Sequence, residues 1–109
     1  MKVSELIKEL NLDLLTDSGF EDRDVTGCYI GDLLSHVMGK ACKGDAWITI
    51  MNNINIVAVA SLTEAACIIL AEGVLADEKV IEKADGEGIV ILKSDMTAYQ
   101  LAVAISKEL

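Results

Sequence analysis

The sequence has 109 residues, which is enough for one folded domain. Its formal net charge of −9 argues against nucleic-acid binding, because affinity for phosphate backbones comes mainly from Lys and Arg. The same charge disfavours anionic membrane surfaces. Hydrophobic residues make up 52% of the chain and aromatic residues only 4%, so we expect a core of Ile, Leu, Val and Ala.

The N-terminal segment and the cysteines predict a cytoplasmic protein. Glu5 and Glu9 interrupt the first segment, which lacks the long apolar stretch of a signal peptide. No apolar run approaches the roughly 20 residues of a transmembrane helix. Cys28, Cys42 and Cys67 are odd in number and lack C-x-x-C spacing. We therefore expect reduced thiols, no metal site and no cofactor.

Residues 1–24 are predicted to form an N-terminal extension made of a helix and a loop. Apolar residues at helical spacing predict a helix over Val3–Leu10. Leu12–Leu15 is a candidate short strand. Residues 16–24 are rich in turn formers and predict a polar loop.

The middle of the chain predicts strands joined by helices. Val25–Ile30 is a predicted strand, and a helix should follow from Gly31 to about Gly39. The apolar runs at 46–50 and 67–70 are typical of strands covered on both faces. The segment Asn55–Thr63 between them is interpreted as a crossover helix. Its Ile and Val residues leave an alternative open, in which it is a strand and residues 51–53 are a hairpin turn.

The C-terminal part continues the alternation. Residues 74–84 have the pattern of an amphipathic helix, and D-G-E-G at 85–88 is interpreted as a turn. The run I-V-I-L at 89–92 predicts a strand, and residues 96–109 predict a last helix. Short apolar strands that alternate with helices indicate an α/β fold. We predict a single three-layer domain over residues 1–109, with a mainly parallel sheet built from repeated βα units.

No catalytic constellation is found in the sequence. Gly39–Lys40 lacks the upstream glycine and the following Ser or Thr of a phosphate-binding loop. His36 is the single histidine and has no nucleophile at a recognisable spacing. The acidic residues are scattered, which is typical of a solvated surface. We predict no catalytic residue and no metal ligand.

The predicted loops after the strands carry polar residues. In an open parallel sheet, ligands bind outside the carboxyl ends of the strands. The hypothesis is therefore a small-metabolite site in these loops, formed by Asn52, Asn53, Glu72, Gly73, Lys93, Ser94, Asp95 and Thr97. The alternative for each of them is structural, because Asn, Ser and Asp commonly cap helices and Gly permits tight turns.

Two of the predicted helices carry more apolar residues than one buried face requires. Asn55–Thr63 has almost no polar face, and a helix of this kind is normally buried on all sides. Val103 also lies off the apolar face of the last helix. We therefore predict a homodimer with Val57, Leu62 and Val103 in its interface. The alternative is that other parts of the same chain cover these residues.

From Cys28 onward the pattern resembles the DRTGG domain, an α/β module. Asn52–Asn53 stands where the family has Asp-Arg after a strand, and Ala71–Gly73 where it has Thr-Gly-Gly. Only Gly73 of these positions matches, and Thr97 falls where a threonine often opens the last helix. The opening segment V-S-E-L-I-K-E-L-N-L-D-L-L resembles the N-terminal domain of HPr kinase/phosphorylase.

The resemblance implies a regulatory or accessory role and assigns no catalytic residue. The family module occurs alone and within some phosphotransacetylases and CBS-domain pyrophosphatases. The missing Arg removes a bidentate contact for anions. The leading hypothesis is a non-catalytic regulatory module that homodimerises and senses a small metabolite. One alternative is a docking subunit for a metabolic or redox enzyme, and another is a small enzyme that uses Asn52, Asn53, Glu72, Lys93 and Asp95.

Overall fold

A five-stranded sheet lies at the centre of the computed structural model, which describes residues 1–109. The strand order is β1-β5-β4-β3-β2, and only the pair of β1 and β5 is antiparallel. The predicted mainly parallel α/β sheet is thus confirmed. The strands are β1 (Asp13–Leu14), β2 (Gly27–Ile30), β3 (Asp45–Thr49), β4 (Cys67–Leu70) and β5 (Ile91–Lys93).

Five helices cover the two faces of the sheet. They are α1 (Val3–Leu10), α2 (Leu34–Lys40), α3 (Asn55–Thr63), α4 (Glu78–Glu87) and α5 (Ala98–Glu108). Buried residues of α1 and α5 share one apolar cluster with one face of the sheet. Buried residues of α2, α3 and α4 share a second cluster with the other face. The fold therefore has three layers. None of the five helices has the length and apolar character of a membrane span.

The central strand β4 and its neighbour β3 are buried along their whole length. All residues of β3 and β4 are buried, as expected for parallel strands with helices on both faces. Side chains alternate between the two clusters: Ala46 and Ile48 belong to the cluster of α1 and α5, whereas Trp47 belongs to the other. The continuous apolar pattern of the sequence follows from this double coverage.

The segment Asn55–Thr63 is helical, and the hairpin alternative is wrong. α3 contacts α2 on one side and α4 on the other, and four of its residues are buried. A middle helix packs against the sheet and two neighbouring helices, which accounts for its wide apolar surface. Glu64 ends the helix in the left-handed conformation, with φ 56°.

The boundaries of α4 differ from the prediction. The helix begins at Glu78, where Asp77 caps it by accepting a hydrogen bond from the Val80 N–H at 3.1 Å. The predicted turn at 85–88 is wrong, because the helix continues through Glu87 and only Gly88 is left-handed, with φ 69°. The Asp17 N–H donates to the Asp85 carboxylate at 2.8 Å. This tertiary contact holds a segment whose glycine otherwise favours a turn.

Candidate functional site

The loops that follow β3, β4 and β5 are joined to one another by hydrogen bonds. The N–H groups of Glu72 and Gly73 donate to the carbonyls of Met96 and Ser94, at 2.9 Å and 2.8 Å. The Asn52 Nδ2 donates to a carbonyl in the segment after β4 at 2.8 Å. The structure thus brings together the three loops of the hypothetical metabolite site. We call this surface the carboxyl-end rim.

Several polar side chains of the rim stabilise helix ends and turns. The Asn53 Oδ1 accepts a hydrogen bond from the Asn55 N–H at 2.9 Å, at the start of α3. The Ser94 Oγ accepts from the N–H two residues later at 3.0 Å. Thr97 caps α5 by accepting from the N–H three residues later at 3.2 Å. These are the contacts expected if the residues cap helices and turns and do not bind a ligand, which was the alternative for each of them.

Lys93 is the one basic residue of the predicted site, and two carboxylates surround it. Its Nζ lies 3.3 Å from Asp95 and 3.6 Å from Asp13, which pairs with it across β1 and β5. The Lys93 side chain is only 18% exposed. Glu72 adds an exposed negative charge nearby. The rim therefore does not offer the positive charge that a polyanionic ligand requires.

Two consecutive residues of the rim have left-handed backbone conformations. Glu72 has φ 57° and Gly73 has φ 73°. A Cβ at Gly73 would approach the Asp95 Oδ1 to 3.1 Å. Left-handed residues are usually glycine, because a Cβ crowds the following carbonyl. This backbone is therefore one that glycine adopts without strain, and Glu72 adopts it at a cost.

Asp32 is a rim residue that the sequence analysis did not identify. Its Oδ1 accepts hydrogen bonds from the Thr49 hydroxyl at 2.8 Å and from the Ile50 N–H at 2.9 Å. These bonds connect the segment after β2 to the end of β3. The sequence placed Asp32 in the first turn of α2, but that helix begins at Leu34. No sequence pattern predicts this long-range contact.

The rim also carries exposed apolar side chains, which the sequence analysis missed. All five of these side chains are at least 46% exposed. Four of them follow the ends of β2, β3 and β4, and the fifth, Ile30, is the last residue of β2. We call this set the apolar rim: Ile30, Leu33, Ile50, Ile54 and Leu75. Single exposed apolar residues are ordinary on protein surfaces, but a group at one edge is characteristic of an interaction surface.

The three residues predicted for the dimer interface lie in different environments. Val57 is fully buried within the chain, where α3 packs against its neighbours. Its predicted place in a dimer interface is therefore corrected, because its side chain is unavailable to a second copy. Leu62 is 72% exposed and Val103 is 36% exposed. Because α3 and α5 cover opposite faces of the sheet, Leu62 and Val103 do not share one flat surface.

The cavities of the protein lie away from the carboxyl-end rim. The largest has a volume of about 680 Å³ and is lined by residues that precede β2, β3 and β4, together with the start of the chain. Two smaller cavities adjoin it, because each shares lining residues with it. None of the three is lined by a residue of the predicted site.

Two cysteines are in environments that disfavour the thiolate. Burial raises the pKa of the Cys67 thiol to about 12 and that of Cys28 to about 11. Cys28 on β2 and Cys67 on β4 lie on either side of Ala46 on β3, with which each is paired. Cys42 is exposed. No group of three or more His, Cys, Asp or Glu side chains is arranged to hold a metal ion.

The comparisons with known proteins agree with this architecture. The DRTGG domain model matches residues 5–107, and no curated protein matches the chain. A similar solved structure contains the CBS and DRTGG domains of the regulatory region of Clostridium perfringens pyrophosphatase, complexed with the activator diadenosine tetraphosphate. The TM-score is 0.74 at 13% identity, and the match covers 98% of this chain and 46% of that one. With its family model matched over almost the whole sequence, this chain belongs to the DRTGG domain family.

Proposed function

We propose that this chain is a non-catalytic regulatory module that homodimerises and senses a small metabolite at the carboxyl-end rim. Membership of the DRTGG domain family supports a regulatory role. The similar region of C. perfringens pyrophosphatase is regulatory and is complexed with a nucleotide activator. That chain is longer, and this one spans 46% of it. In this proposal, the catalytic activity under its control belongs to another polypeptide or domain.

The apolar rim is the observation that carries the proposal. Its five side chains are exposed at the edge where the loops after β3, β4 and β5 are joined by hydrogen bonds. In this proposal, a ligand that binds one of these loops shifts the others through the hydrogen bonds that join them. A partner on the apolar rim would then experience that shift. Ligand binding and association are thereby coupled through one edge of the sheet.

The charges of the rim restrict the class of metabolite. Lys93 is surrounded by Asp13 and Asp95, and Glu72 is exposed. A polyphosphate would meet this negative charge, whereas a ligand with an apolar or aromatic part would contact Ile50 and Leu75. We therefore expect a neutral or weakly charged metabolite with an apolar part, held by backbone hydrogen bonds of the rim.

Association is tested by analytical ultracentrifugation of the full chain at micromolar concentration. The wild type should be a dimer, and Ile54→Glu should make it monomeric by placing a charge in the apolar rim. Val103→Glu is the matched control, since this residue lies on the opposite helical layer. Circular dichroism would establish that both variants are folded. A monomeric wild type would contradict the proposed dimer. A dimer that Val103→Glu disrupts and Ile54→Glu does not would contradict an interface at the apolar rim.

Ligand sensing is tested by thermal stabilisation with adenosine, AMP and diadenosine tetraphosphate as probes. We expect saturable stabilisation by adenosine that exceeds the effect of the tetraphosphate. Asn52→Ala should reduce it, because this change removes the bond from the loop after β3 to the segment after β4. Lys107→Ala, on the exposed end of α5, is the control. Absence of stabilisation by all three probes would refute a nucleoside-type ligand at the rim.

The apolar rim also suits a second function, as a docking surface for an enzyme. In that case the wild type would be monomeric, and its apolar rim would be covered only in a complex with the enzyme. The same sedimentation experiment separates the two functions. A stable homodimer that Ile54→Glu abolishes favours the regulatory dimer over the docking subunit.

A further inference from the structure

The edge of the sheet opposite the rim contains three adjoining cavities. Their volumes are about 680, 140 and 160 Å³. Arg23 lines all three, and Lys43 and Glu64 line the first two. We call these three cavities together the amino-end groove. The largest is within the range of roughly 300–1,000 Å³ that is typical of small-molecule sites.

The largest cavity of the groove is lined by charges of both signs, three basic residues and four carboxylates. The sequence contains 9 Lys and Arg residues, and Arg23 is its single arginine. Lys2, Arg23 and Lys43 line the largest cavity. Arginine presents several N–H donors in a planar arrangement that matches phosphate and carboxylate groups. The residue best suited to bind an anion is therefore at the junction of the cavities.

The four carboxylates of the largest cavity are either engaged elsewhere or weakly paired. Asp22 accepts hydrogen bonds from the N–H and hydroxyl of Ser4, at the start of α1. Each of the three cations has one carboxylate partner. Arg23 lies 3.6 Å from Glu21. Lys2 lies 3.3 Å from Asp24, and Lys43 lies 3.6 Å from Glu64. Exposed ion pairs of this kind contribute only about 0–1 kcal/mol. A ligand anion can therefore compete for these cations, but the neighbouring carboxylates repel it unless the ligand also carries donor groups that they can bind.

The backbone that forms one wall of the groove is held in place. The Thr26 N–H donates to the Gly44 carbonyl, and the Gly44 N–H donates to the Glu64 carbonyl, both at 3.0 Å. Gly44 has φ 87°, and a Cβ there would collide with the Thr26 hydroxyl. This wall is thus present before any ligand binds, which reduces the ordering cost of binding.

We propose that the amino-end groove is a second binding site, which takes a small anion that also carries hydrogen-bond donors. Arg23 and Lys43 bind a phosphate or carboxylate group of the ligand. Glu21 and Glu64 accept hydrogen bonds from its hydroxyl or amino groups. The mixed charge of the lining selects a ligand with both kinds of group over a simple anion. This site is separate from the carboxyl-end rim and does not depend on the function proposed for it.

The test is isothermal titration calorimetry of the full chain with three probes: inorganic phosphate, glycerol 3-phosphate and L-glutamate. Glycerol 3-phosphate or L-glutamate should bind saturably and more tightly than inorganic phosphate, and the tighter of the two identifies the anionic group. Arg23→Gln should weaken that binding about tenfold or more, the loss expected for hydrogen bonds to a charged group. Lys43→Gln should weaken it less, and Lys107→Gln, outside the groove, should leave it unchanged.

The variants also separate this proposal from the one for the rim. Lys43 is 81% exposed and pairs only with an exposed glutamate, so Lys43→Gln should fold even if Arg23→Gln does not. Ile54→Glu should leave binding to the groove unchanged. The proposal is overturned if none of the probes binds, if Lys43→Gln binds as the wild type does, or if Ile54→Glu abolishes binding in a folded protein.

Discussion

Asp22 caps a helix that lies in an earlier part of the chain. Its carboxylate accepts hydrogen bonds from the N–H and hydroxyl of Ser4, near the N-terminus of α1. These hydrogen bonds, with the side-chain bond as the larger effect, lower the pKa of Asp22 below its ordinary value of 3.8. The negative charge also lies close to the positive end of the α1 dipole. A loop residue thereby fixes the position of the first helix.

We expect Asp22→Ala to lower the free energy of unfolding by about 0.5–1 kcal/mol at neutral pH, the range for an exposed cap. Because the folded pKa is the lower one, this stabilisation is complete above the unfolded value of 3.8 and is lost as the pH falls through the folded value. Urea denaturation at neutral and acidic pH measures the difference. A gap between wild type and variant that widens on acidification would contradict the assignment, and Asp24→Ala serves as the control.

The three thiols should differ in reactivity. Burial raises the pKa of Cys67 to about 12 and of Cys28 to about 11, so neither forms thiolate at neutral pH. Cys42 is exposed. Brief treatment with N-ethylmaleimide followed by mass spectrometry should therefore show one modified thiol in the folded protein and three after denaturation. Cys42→Ser should show none when folded; rapid labelling of Cys67 in that variant would contradict the buried position.

At the scale of the element, the turn after β4 is the strained part of the rim. Glu72 is left-handed with φ 57° although it has a Cβ. Its N–H still donates to the Met96 carbonyl at 2.9 Å. The contacts between neighbouring loops therefore outweigh the local preference of the residue.

Glu72→Gly should raise the free energy of unfolding by about 0.5–1 kcal/mol. The left-handed conformation costs roughly 1–2 kcal/mol with a Cβ, and the greater freedom of glycine in the unfolded chain offsets part of this gain. Glu82→Gly is the matched control. It makes the same change inside α4 and should destabilise by about 1 kcal/mol. Chemical denaturation of both variants gives the comparison. A destabilised Glu72→Gly variant would show that the Glu72 side chain makes a favourable contact.

The elements differ in how far their sequences predict them. α1 and α3 occupy the predicted residues, because their apolar spacing agrees with helix formation and with burial. The end of α4 was missed, since Gly86 favours a turn locally while the contact from Asp17 to Asp85 comes from a distant segment. Local pattern and tertiary contact conflict only in the second case. Helix bounds were therefore predictable where both agree.

The candidate sites were predictable only in part. Parallel strands place their carboxyl ends at one edge, so the proximity of the loops at Asn52, Glu72 and Ser94 follows from the fold. The exposure of individual side chains does not follow from the fold. Ile54 and Val57 are similar residues on one apolar segment, yet one is 48% exposed and the other fully buried. The amino-end groove could not be predicted either, because Arg23 and Lys43 are distant in the sequence and line one cavity only in the folded chain.

At the scale of the whole molecule, charge opposes the proposed dimer. Each copy carries a formal charge of −9, so two copies repel one another at low ionic strength. Salt screens this repulsion, with a Debye length of about 10 Å at 0.1 M. We expect the dissociation constant of the dimer to fall as sodium chloride is raised, as measured by sedimentation. Dissociation by salt would instead indicate an interface held by ion pairs.

The pairing of β1 with β5 has a consequence for biosynthesis. The buried Thr16 hydroxyl accepts a hydrogen bond from the Ile91 N–H, 75 positions later, and Asp13 pairs with Lys93. A ribosome releases the early segment first, so β1 waits without its neighbour until β5 has also emerged. Closing so long a loop is slow relative to forming each local βα unit. The strand β1 and the free edge of β5 therefore stay unpaired until this last step completes.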